Sequence, residues 1–348
     1  MSAAGTVSPA GIASAADSVN AGRPRFPRAL RPGDTVAVMA PSSGVRPAMH
    51  ERLDAALALL RAKGFEVREG RSLRRQEQGA SASGPERAAE LMAALLDPTV
   101  AAVIPPWGGE LAIEVLEHLD FDRLREAPPK WFSGFSDLST IQLPLLVRAG
   151  WASLHGPNLM QLADPALDAV SARIFDAWAS GAGAELAQPQ APGTLVRALD
   201  DRAGPVTIEG RMLGGCLDSV SRLAGTPFGD IRAFRSACGA GERPILFFEV
   251  AELPPFELAR ALHGLRLAGW FEDAAGVVLG RSAVPEAAAS AGDFTERDAL
   301  RRGLGGLSCP VLVDVDIGHV APQWSIVQGA STRLCWADGR AVLEQRLI

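Results

Sequence analysis

Short apolar runs alternate with amphipathic stretches of helical period along the amino-terminal part of this chain, and this alternation constrains the fold more than any other feature. Short apolar runs bounded by turn residues predict buried strands, and apolar residues three or four positions apart predict helices. The predicted strands are residues 35–40, 65–68, 101–104, 130–134 and 151–155, and the helices between them are residues 52–63, 85–96 and 137–148. Strands that alternate with helices form a parallel sheet, whose ligands bind outside the carboxyl ends of the strands.

A serine lies in a turn at the carboxyl end of one predicted strand, where a nucleophile can be placed. Ser136 lies between the predicted strand at residues 130–134 and the predicted helix at residues 137–148. The Asp137 amide opens that helix, so its N–H is free to donate to a developing oxyanion, and the helix dipole adds to the effect. The alternative is that Ser136 only N-caps the helix, because the pattern is not the Gly-x-Ser-x-Gly turn of the α/β hydrolases.

A pair of glycines follows the predicted strand at residues 101–104. Gly108 and Gly109 have no side chain, so their backbone can approach a ligand closely, and their amides can supply the other half of an oxyanion hole opposite Asp137. The alternative is an ordinary glycine-rich turn between a strand and a helix. A phosphate loop is not indicated, because neither the Walker spacing nor Gly-x-Gly-x-x-Gly is present.

The second half of the chain is richer in predicted strands than the first. The predicted strands are residues 194–199, 206–213, 244–250, 275–279, 310–317, 325–328, 332–336 and 340–345. The predicted helices are residues 165–180, 254–268 and 295–303, with a further helix that follows residues 214–217 and ends at Gly225. The last three strands alternate in the manner of small antiparallel strands. The whole pattern predicts an α/β protein made of two parts.

Proline, glycine and small residues at residues 181–193 mark the boundary between these parts. We therefore expect a disordered tail at residues 1–25, an amino-terminal nucleophile domain at 26–163, a crossing helix and linker at 164–204, and a carboxyl-terminal domain at 205–348. The tail lacks the charged start and apolar core of a signal peptide. No apolar run is as long as a membrane span, so a cytoplasmic setting is expected.

Two ionisable residues lie at the ends of predicted strands in the carboxyl-terminal part. Glu249 ends the apolar run at residues 244–250, where burial of its charge is costly without a partner. His319 follows the strand at residues 310–317 through a glycine turn, which favours it over His155, the other histidine that follows a strand. Serine, histidine and carboxylate side chains that meet in space make a nucleophile, a base and an orienting acid on any fold. The alternative is that His319 is structural.

Charge and cysteine content exclude several classes of protein. A formal net charge of -6 and a pI near 5.5 argue against a non-specific nucleic-acid binder. The four cysteines are Cys216, Cys238, Cys309 and Cys335. They show no Cys-x-x-Cys and no Cys/His spacing that holds zinc, so each is expected to be a small buried residue. We expect no nucleic-acid partner and no membrane partner.

Seven short motifs occur together in the order found in a known family. They are Leu30-Arg31-Pro32-Gly33-Asp34 with Ala40-Pro41-Ser42-Ser43, Gly108-Gly109, Gly134-Phe135-Ser136-Asp137, His155-Gly156-Pro157, Gly214-Gly215, Phe248-Glu249 and Ile317-Gly318-His319. In these motifs the chain resembles the LD-carboxypeptidases of serine peptidase family S66, which includes muramoyltetrapeptide carboxypeptidase and the microcin C7 self-immunity proteins. The resemblance covers nearly everything after the tail.

The resemblance implies a fold, a site and an activity. The implied fold is a Rossmann-like, flavodoxin-like parallel-sheet domain followed by a smaller strand-rich α/β domain, usually in a homodimer. The implied triad is Ser136, Glu249 and His319, and the implied oxyanion hole is formed by the amides of Asp137 and Gly109. The implied reaction removes the terminal D-alanine from murein tetrapeptide in cell-wall recycling, through an acyl-enzyme and without a metal or cofactor.

The chain departs from the family pattern at two places, and two other functions stay open. Cys216 stands where the family commonly has Asn, and the usual Arg after the glutamate strand is matched only loosely, by the nearby Arg260. One alternative is a microcin-immunity-like hydrolase of aminoacyl or peptidyl nucleotide amides. That subgroup is expected to place an aromatic residue from the interdomain loop over the base, but residues 188–204 contain none and Trp178 lies in a predicted helix. The other alternative is a two-domain binding protein without turnover.

Overall fold

The computed structural model describes residues 22–200, 204–239, 241–285, 288 and 290–348. Most of the predicted tail, residues 1–21, lies outside this part of the chain. The end of that tail is ordered, which corrects the prediction there. Arg25 forms a parallel bridge with Trp151, and its guanidinium donates to the carbonyl oxygens of Ala127 and Ala149, both at 3.1 Å.

The described residues form an α/β structure. Its strands are β1 (Thr35–Val38), β2 (Glu66–Glu69), β3 (Val100–Val103), β4 (Trp131–Gly134), β5 (Leu154–His155), β6 (Glu185–Pro189), β7 (Arg197–Ala198), β8 (Val206–Cys216), β9 (Pro244–Glu249), β10 (Gly276–Gly280), β11 (Ser290–Ala291), β12 (Phe294–Thr295), β13 (Val311–Val315), β14 (Ile326–Val327), β15 (Ser331–Ala337) and β16 (Arg340–Arg346). Its α-helices are α1 (His50–Ala62), α2 (Gly84–Leu96), α3 (Phe121–Glu126), α4 (Ser139–Ala149), α5 (Leu159–Leu162), α6 (Ile174–Trp178), α7 (Leu217–Val220), α8 (Ile231–Cys238), α9 (Pro255–Leu267) and α10 (Glu296–Leu304). The predicted α/β class is confirmed.

The first sheet has the strand order β14-β5-β4-β3-β1-β2. Its first five strands in the chain are parallel and follow the flavodoxin-like order, as the family resemblance implies. The strand β14 pairs antiparallel with β5 at one edge. A segment predicted for the carboxyl-terminal part thus completes the amino-terminal sheet.

The second sheet has the strand order β6-β16-β15-β8-β9-β10-β13-β7. Its four central strands, from β8 to β13, are parallel to one another, and the strands outside them pair antiparallel. Because the central strands run the same way, their carboxyl ends lie at one edge of the sheet. The end of β8, the end of β9 and the turn after β13 therefore lie close together.

Helix α4 lies where the two sheets meet. Every residue of α4 except Arg148 is buried, because the helix contacts both β5 and β8. It ends at Gly150, whose φ of 69° gives the left-handed cap that glycine adopts without steric cost. A single apolar cluster includes Leu145 of this helix, Leu91 of α2 and Phe248 of β9. The two sheets are therefore packed through a shared core.

The segment between the two sheets differs from the prediction. The helix expected at residues 165–180 is wrong over most of its length, since only a short 3-10 turn and α6 are helical there. The carboxylate of Asp168 accepts hydrogen bonds from the Val170 and Ser171 amides and from the Ser171 hydroxyl, and such local bonds compete with helix formation. Part of the expected linker is the strand β6, and residues 201–203 lie outside the described chain.

Helix α8 is absent from the sequence-based prediction. It is capped by Asp230, whose side chain accepts a hydrogen bond from the Ala233 amide, and it buries Ile231, Phe234 and Cys238. None of the helices in the described ranges is long and apolar enough to cross a membrane.

Candidate active site

Ser136 lies on a strained turn at the end of β4. Its φ of 66° is in the left-handed region, which a residue with a Cβ rarely adopts, whereas the preceding Phe135 is extended. The chain therefore reverses sharply into a 3-10 turn, Ser136–Leu138, that leads into α4. The Ser136 side chain caps neither helix, so the alternative that it is only an N-cap is wrong.

His319 connects this serine to a buried glutamate. The Nε2 atom of His319 lies 3.1 Å from the Oγ atom of Ser136, and its Nδ1 atom lies 2.6 Å from the Oε2 atom of Glu249. Glu249 is 0% exposed at the end of β9, and the His319 side chain is 26% exposed. The three residues that the sequence analysis selected are thus brought together in the order serine, histidine, carboxylate.

A glycine makes the approach of His319 to Glu249 possible. Gly318 has a φ of 90°, and a Cβ atom built on it would lie 2.4 Å from the Cβ atom of Glu249. A residue with a side chain would be strained by this φ and would also collide with the glutamate. Gly318 therefore allows the turn after β13 to lie directly against the end of β9.

The environment of His319 defines its tautomer and its pKa. An ionised carboxylate only accepts hydrogen bonds, so Nδ1 carries the proton and donates to Glu249, which leaves the Nε2 lone pair facing Ser136. Burial lowers the pKa of His319, but the hydrogen bond and charge of Glu249, with the charges of Asp218 and Glu252, raise it above its usual value. The imidazolium form is therefore stabilised at this position.

Asp137 anchors the serine turn through its side chain. Its buried carboxylate accepts a hydrogen bond from the Ser42 hydroxyl at 2.5 Å and another from the Ala112 amide at 2.8 Å. Ser42 follows β1 and Ala112 follows the paired glycines after β3. The carboxylate thus ties three turns of the first sheet together, while the amide of the same residue stays unused.

The paired glycines lie against this turn. A Cβ atom built on Gly108 would lie 3.0 Å from the Oγ atom of Ser136 and 3.0 Å from the amide nitrogen of Asp137. Gly109 has a φ of 145°, and its Cβ atom would lie 2.3 Å from the Oγ atom of Ser43. Within the described residues, the amides of Gly109 and Asp137 donate no hydrogen bond. Both amides are therefore available to a ligand atom beside Ser136.

Two cavities meet at Ser136 and His319 and differ in charge. The larger, of about 700 Å³, contains Arg46 and Arg52 and no carboxylate. The smaller, of about 360 Å³, is lined by four carboxylates and one cation, namely Glu110, Asp137, Asp218, Glu252 and Arg222. A ligand that reaches the serine from both sides meets a positive region on one side and a mainly negative region on the other.

The acidic cavity contains one carboxyl group with a raised pKa. Partial burial raises the pKa of Glu110, and the nearby charges of Glu252, Asp137 and Asp218 raise it further. Arg222 in the same cavity has no ion pair or side-chain hydrogen bond within the described chain. Burial and the neighbouring carboxylates therefore both disfavour the charged form of Glu110.

The environment of Cys216 is the part of the site that sequence reasoning missed. Cys216 ends β8 and is 1% exposed, as expected for a buried cysteine. Its Sγ atom, a carboxylate oxygen of Glu249 and a ring nitrogen of His319 all lie within 4.8 Å of one another. In the described chain this is the only group of three His, Cys, Asp or Glu residues that can hold a metal ion. Its members are far apart in sequence, so no local spacing could reveal it.

Other predicted residues lie elsewhere. Cys238 is buried as predicted, but Cys309 and Cys335 are only partly buried, which corrects that expectation. Arg260 lines neither cavity and pairs with Glu257 on the surface, so it does not replace the family arginine. His155 is fully buried, and this burial, with the charge of His319, lowers its pKa to about 3. His155 therefore remains neutral, and it packs between Phe135 and Phe247.

Comparisons with known proteins agree with this architecture. The model of the LD-carboxypeptidase N-terminal domain matches residues 36–156, and the model of the LD-carboxypeptidase C-terminal domain matches residues 209–334. The chain is 28% identical over 329 residues to a Bacillus subtilis protein named "Probable murein peptide carboxypeptidase", a match that covers 91% of this chain and 94% of the relative.

Solved structures show the same fold. The crystal structure of muramoyltetrapeptide carboxypeptidase from Oxalobacter formigenes matches with a TM-score of 0.71 and 25% identity, covering 89% of this chain and 98% of that one. The structure of MccF in complex with glutamyl sulfamoyl guanosine matches with a TM-score of 0.76 and 19% identity, covering 92% and 98%. On the two matched domains and these relatives, the chain belongs to the LD-carboxypeptidase family, peptidase family S66.

Proposed function

We propose that this protein is a serine hydrolase that removes the terminal D-alanine from murein tetrapeptide through an acyl-enzyme, in cell-wall recycling. The observation that carries the proposal is the continuous contact from Ser136 through His319 to Glu249, with distances of 3.1 Å and 2.6 Å. Membership of the LD-carboxypeptidase family and the name of the Bacillus subtilis relative support the peptide substrate.

The proposed chemistry follows from the orientation of the imidazole. The Oγ atom of Ser136 attacks the carbonyl carbon of the scissile amide while its proton passes to Nε2 of His319. The imidazolium then gives this proton to the leaving amine as the C–N bond breaks, and an ester with Ser136 remains. Water repeats the sequence on the ester, with His319 again as base. Glu249 holds the Nδ1 proton and stabilises the imidazolium.

The tetrahedral oxyanion is proposed to accept hydrogen bonds from the amides of Asp137 and Gly109. Both amides are without an intramolecular acceptor in the described chain, and Gly109 lines both cavities beside Ser136. Donors that are already oriented before the reaction stabilise the developing charge without reorganisation. The carboxylate bonds of Asp137 to Ser42 and Ala112 hold this arrangement in place.

The charges of the two cavities support an orientation for the substrate. A carboxypeptidase binds the free carboxylate of the residue that it releases, and Arg46 in the larger cavity has no intramolecular ion pair or side-chain hydrogen bond within the described residues. We place the leaving D-alanine there, with Arg46 as the carboxylate-binding group. The acyl residue then points to the acidic cavity, where Glu110 and Glu252 favour a side chain that carries an ammonium group.

The nucleotide-amide alternative has less support. MccF is a microcin C7 self-immunity protein, and its structure contains a sulfamoyl nucleoside. In this chain Trp178, the aromatic residue nearest to the interdomain segment, is 1% exposed and donates its indole N–H to Ser133, so it is not available to stack on a base. The cytoplasmic setting and the homodimer remain predictions from the sequence.

Mass spectrometry distinguishes the three functions. Murein tetrapeptide and an aminoacyl-nucleotide sulfamate are each incubated with the protein and with its Ser136→Ala variant. The proposal predicts release of D-alanine from the tetrapeptide by the unmodified protein only. Cleavage of the nucleotide sulfamate alone would favour the microcin-immunity-like hydrolase. If the folded protein cleaves neither compound, a binding protein without turnover would be favoured.

A further inference from the structure

A buried acceptor atom beside the catalytic histidine is left without a partner. The Oε2 atom of Glu249 accepts from His319, whereas its Oε1 atom has no hydrogen bond of normal geometry within the described chain, although the side chain is 0% exposed and the Cys216 thiol interacts with this carboxylate. An unpartnered carboxylate oxygen in the interior is costly, because it has lost its hydration without gaining a replacement. The position is therefore suited to a cation or a donor.

Cys216 provides a soft ligand at the same place. Its Sγ atom lies within 4.8 Å of the ligand atoms of both Glu249 and His319, and it is 3.6 Å from Oδ2 of Asp218, to which the thiol donates. Cys216 and His319 both line the smaller cavity. An ion can therefore reach the group from the same side as the substrate.

From this arrangement we infer that Cys216, Glu249 and His319 form an inhibitory zinc site within the proposed active site. One thiolate, one imidazole and one carboxylate are the ligand types that Zn²⁺ combines in tetrahedral sites, and three protein ligands leave a fourth position for water. A thiolate disfavours Mg²⁺ and Ca²⁺, which prefer oxygen ligands. Burial and the charges of Glu249 and Asp218 raise the pKa of the Cys216 thiol, so the metal must displace this proton when it binds, and the cavity gives both the ion and the proton access to solvent.

Bound zinc removes the base from the reaction. If the metal takes Nδ1 of His319, the remaining ring proton resides on Nε2, and this atom can no longer accept the proton of Ser136. If the metal takes Nε2, the lone pair that faces Ser136 is occupied directly. When the metal takes Nδ1, Glu249 also stops orienting the ring. Zinc therefore competes with catalysis through the two residues that the site shares with the triad.

A binding experiment tests the site independently of any substrate. Metal-free protein is titrated with Co²⁺, which replaces Zn²⁺ and gives a thiolate-to-cobalt absorption band when a cysteine is a ligand. We expect a band that saturates at one equivalent and is displaced by Zn²⁺ but not by Mg²⁺. Cys216→Ser and Cys216→Ala should lose the band and weaken binding at least about 10-fold, whereas the matched control Cys335→Ser should keep both.

An inhibition experiment follows, and it rests on the proposed function. Hydrolysis of murein tetrapeptide is measured in buffered Zn²⁺ and in chelator, and the ratio of the two rates is compared within each variant. For the unmodified protein and Cys335→Ser, we expect the rate in Zn²⁺ to be at least about 10-fold lower than the rate in chelator. For the Cys216 variants, we expect the two rates to be nearly equal. A cobalt band or zinc inhibition unchanged in folded Cys216→Ala would overturn the site. Absence of hydrolysis with a normal cobalt band would overturn only the proposed function.

Discussion

The Oγ atom of Ser136 and the Nε2 atom of His319 lie 3.1 Å apart, although 183 positions separate them in the chain and they follow strands of two different sheets. The contact exists only because α4 and the shared core hold the sheets together. The distance between the proposed nucleophile and its proposed base therefore depends on the packing of the whole molecule. Changes that loosen this packing are expected to lower activity before they unfold either sheet.

Replacing the orienting carboxylate tests the triad. We expect Glu249→Gln to keep the fold and to lower kcat by about 10³- to 10⁴-fold, because an amide can donate to Nδ1 and so favour the tautomer with the proton on Nε2. Steady-state kinetics on the tetrapeptide measures the loss, and circular dichroism monitors the fold. Turnover within about tenfold of the unmodified protein would remove Glu249 from the proposed triad.

The acidic cavity should shift the pH dependence of the reaction. As the proposed base, His319 can accept a proton only when neutral, so we expect kcat/KM to fall as the pH drops through its raised pKa. Glu252→Gln removes a negative charge that stabilises the imidazolium, so the pKa of His319 decreases and the acid limb of the profile moves to lower pH. Glu257→Gln, on an exposed part of α9 outside both cavities, is the matched control. An acid limb that stays in place in Glu252→Gln would contradict the assigned electrostatics.

A single methyl group on Gly108 should block the site. In Gly108→Ala the new Cβ atom would lie 2.9 Å from the Cβ atom of Ser136 and 3.0 Å from its Oγ atom. We expect kcat/KM to fall about 100-fold or more, because the nucleophile or the glycine turn must move. Gly264→Ala is the control, since its Cβ atom meets no atom within 4 Å and the helix α9 gains stability. Equal activity of the two variants would show that the glycine turn is not part of the site.

Arg46 should determine how the substrate carboxylate binds. Loss of a charge-assisted hydrogen bond costs about 1.5–3 kcal/mol, so Arg46→Gln is expected to raise KM about 10-fold or more with a smaller change in kcat. The same variant should no longer distinguish a free carboxyl terminus from a terminal amide. Arg260→Gln, which changes a surface ion pair with Glu257, serves as the control. An unchanged KM would show that Arg46 is not the carboxylate-binding group.

Local sequence signals predicted the serine turn well. A strand followed directly by a helix requires a sharp turn at Ser136, and apolar periodicity indicated both elements. Glu249 at the end of β9 was also predicted from a local signal, because an ionisable residue at the end of a long apolar run needs a partner. The helix predicted at residues 165–180 is wrong over most of its length. The Asp168 side chain accepts hydrogen bonds from nearby backbone amides, and these bonds compete with helical ones.

The sequence patterns could not predict contacts between residues that are far apart in the chain. The bond between Ser42 and Asp137 joins residues 95 positions apart, and β14 crosses from the carboxyl-terminal part to pair with β5. Cys216 is an ordinary buried cysteine by its local pattern, and only the parallel pairing of β8 with β9 places it beside Glu249. Such relationships depend on strand order, which periodicity does not specify.

Labelling by a fluorophosphonate tests the central claim most directly, because the reagent reacts with a serine only when a base activates it. The protein and its Ser136→Ala and His319→Ala variants are treated with the probe, and the modified peptide is identified by mass spectrometry. The account predicts one adduct, on Ser136, in the unmodified protein and strongly reduced labelling in both variants. A folded, hydrolytically active protein that is labelled elsewhere, or not at all, would contradict it.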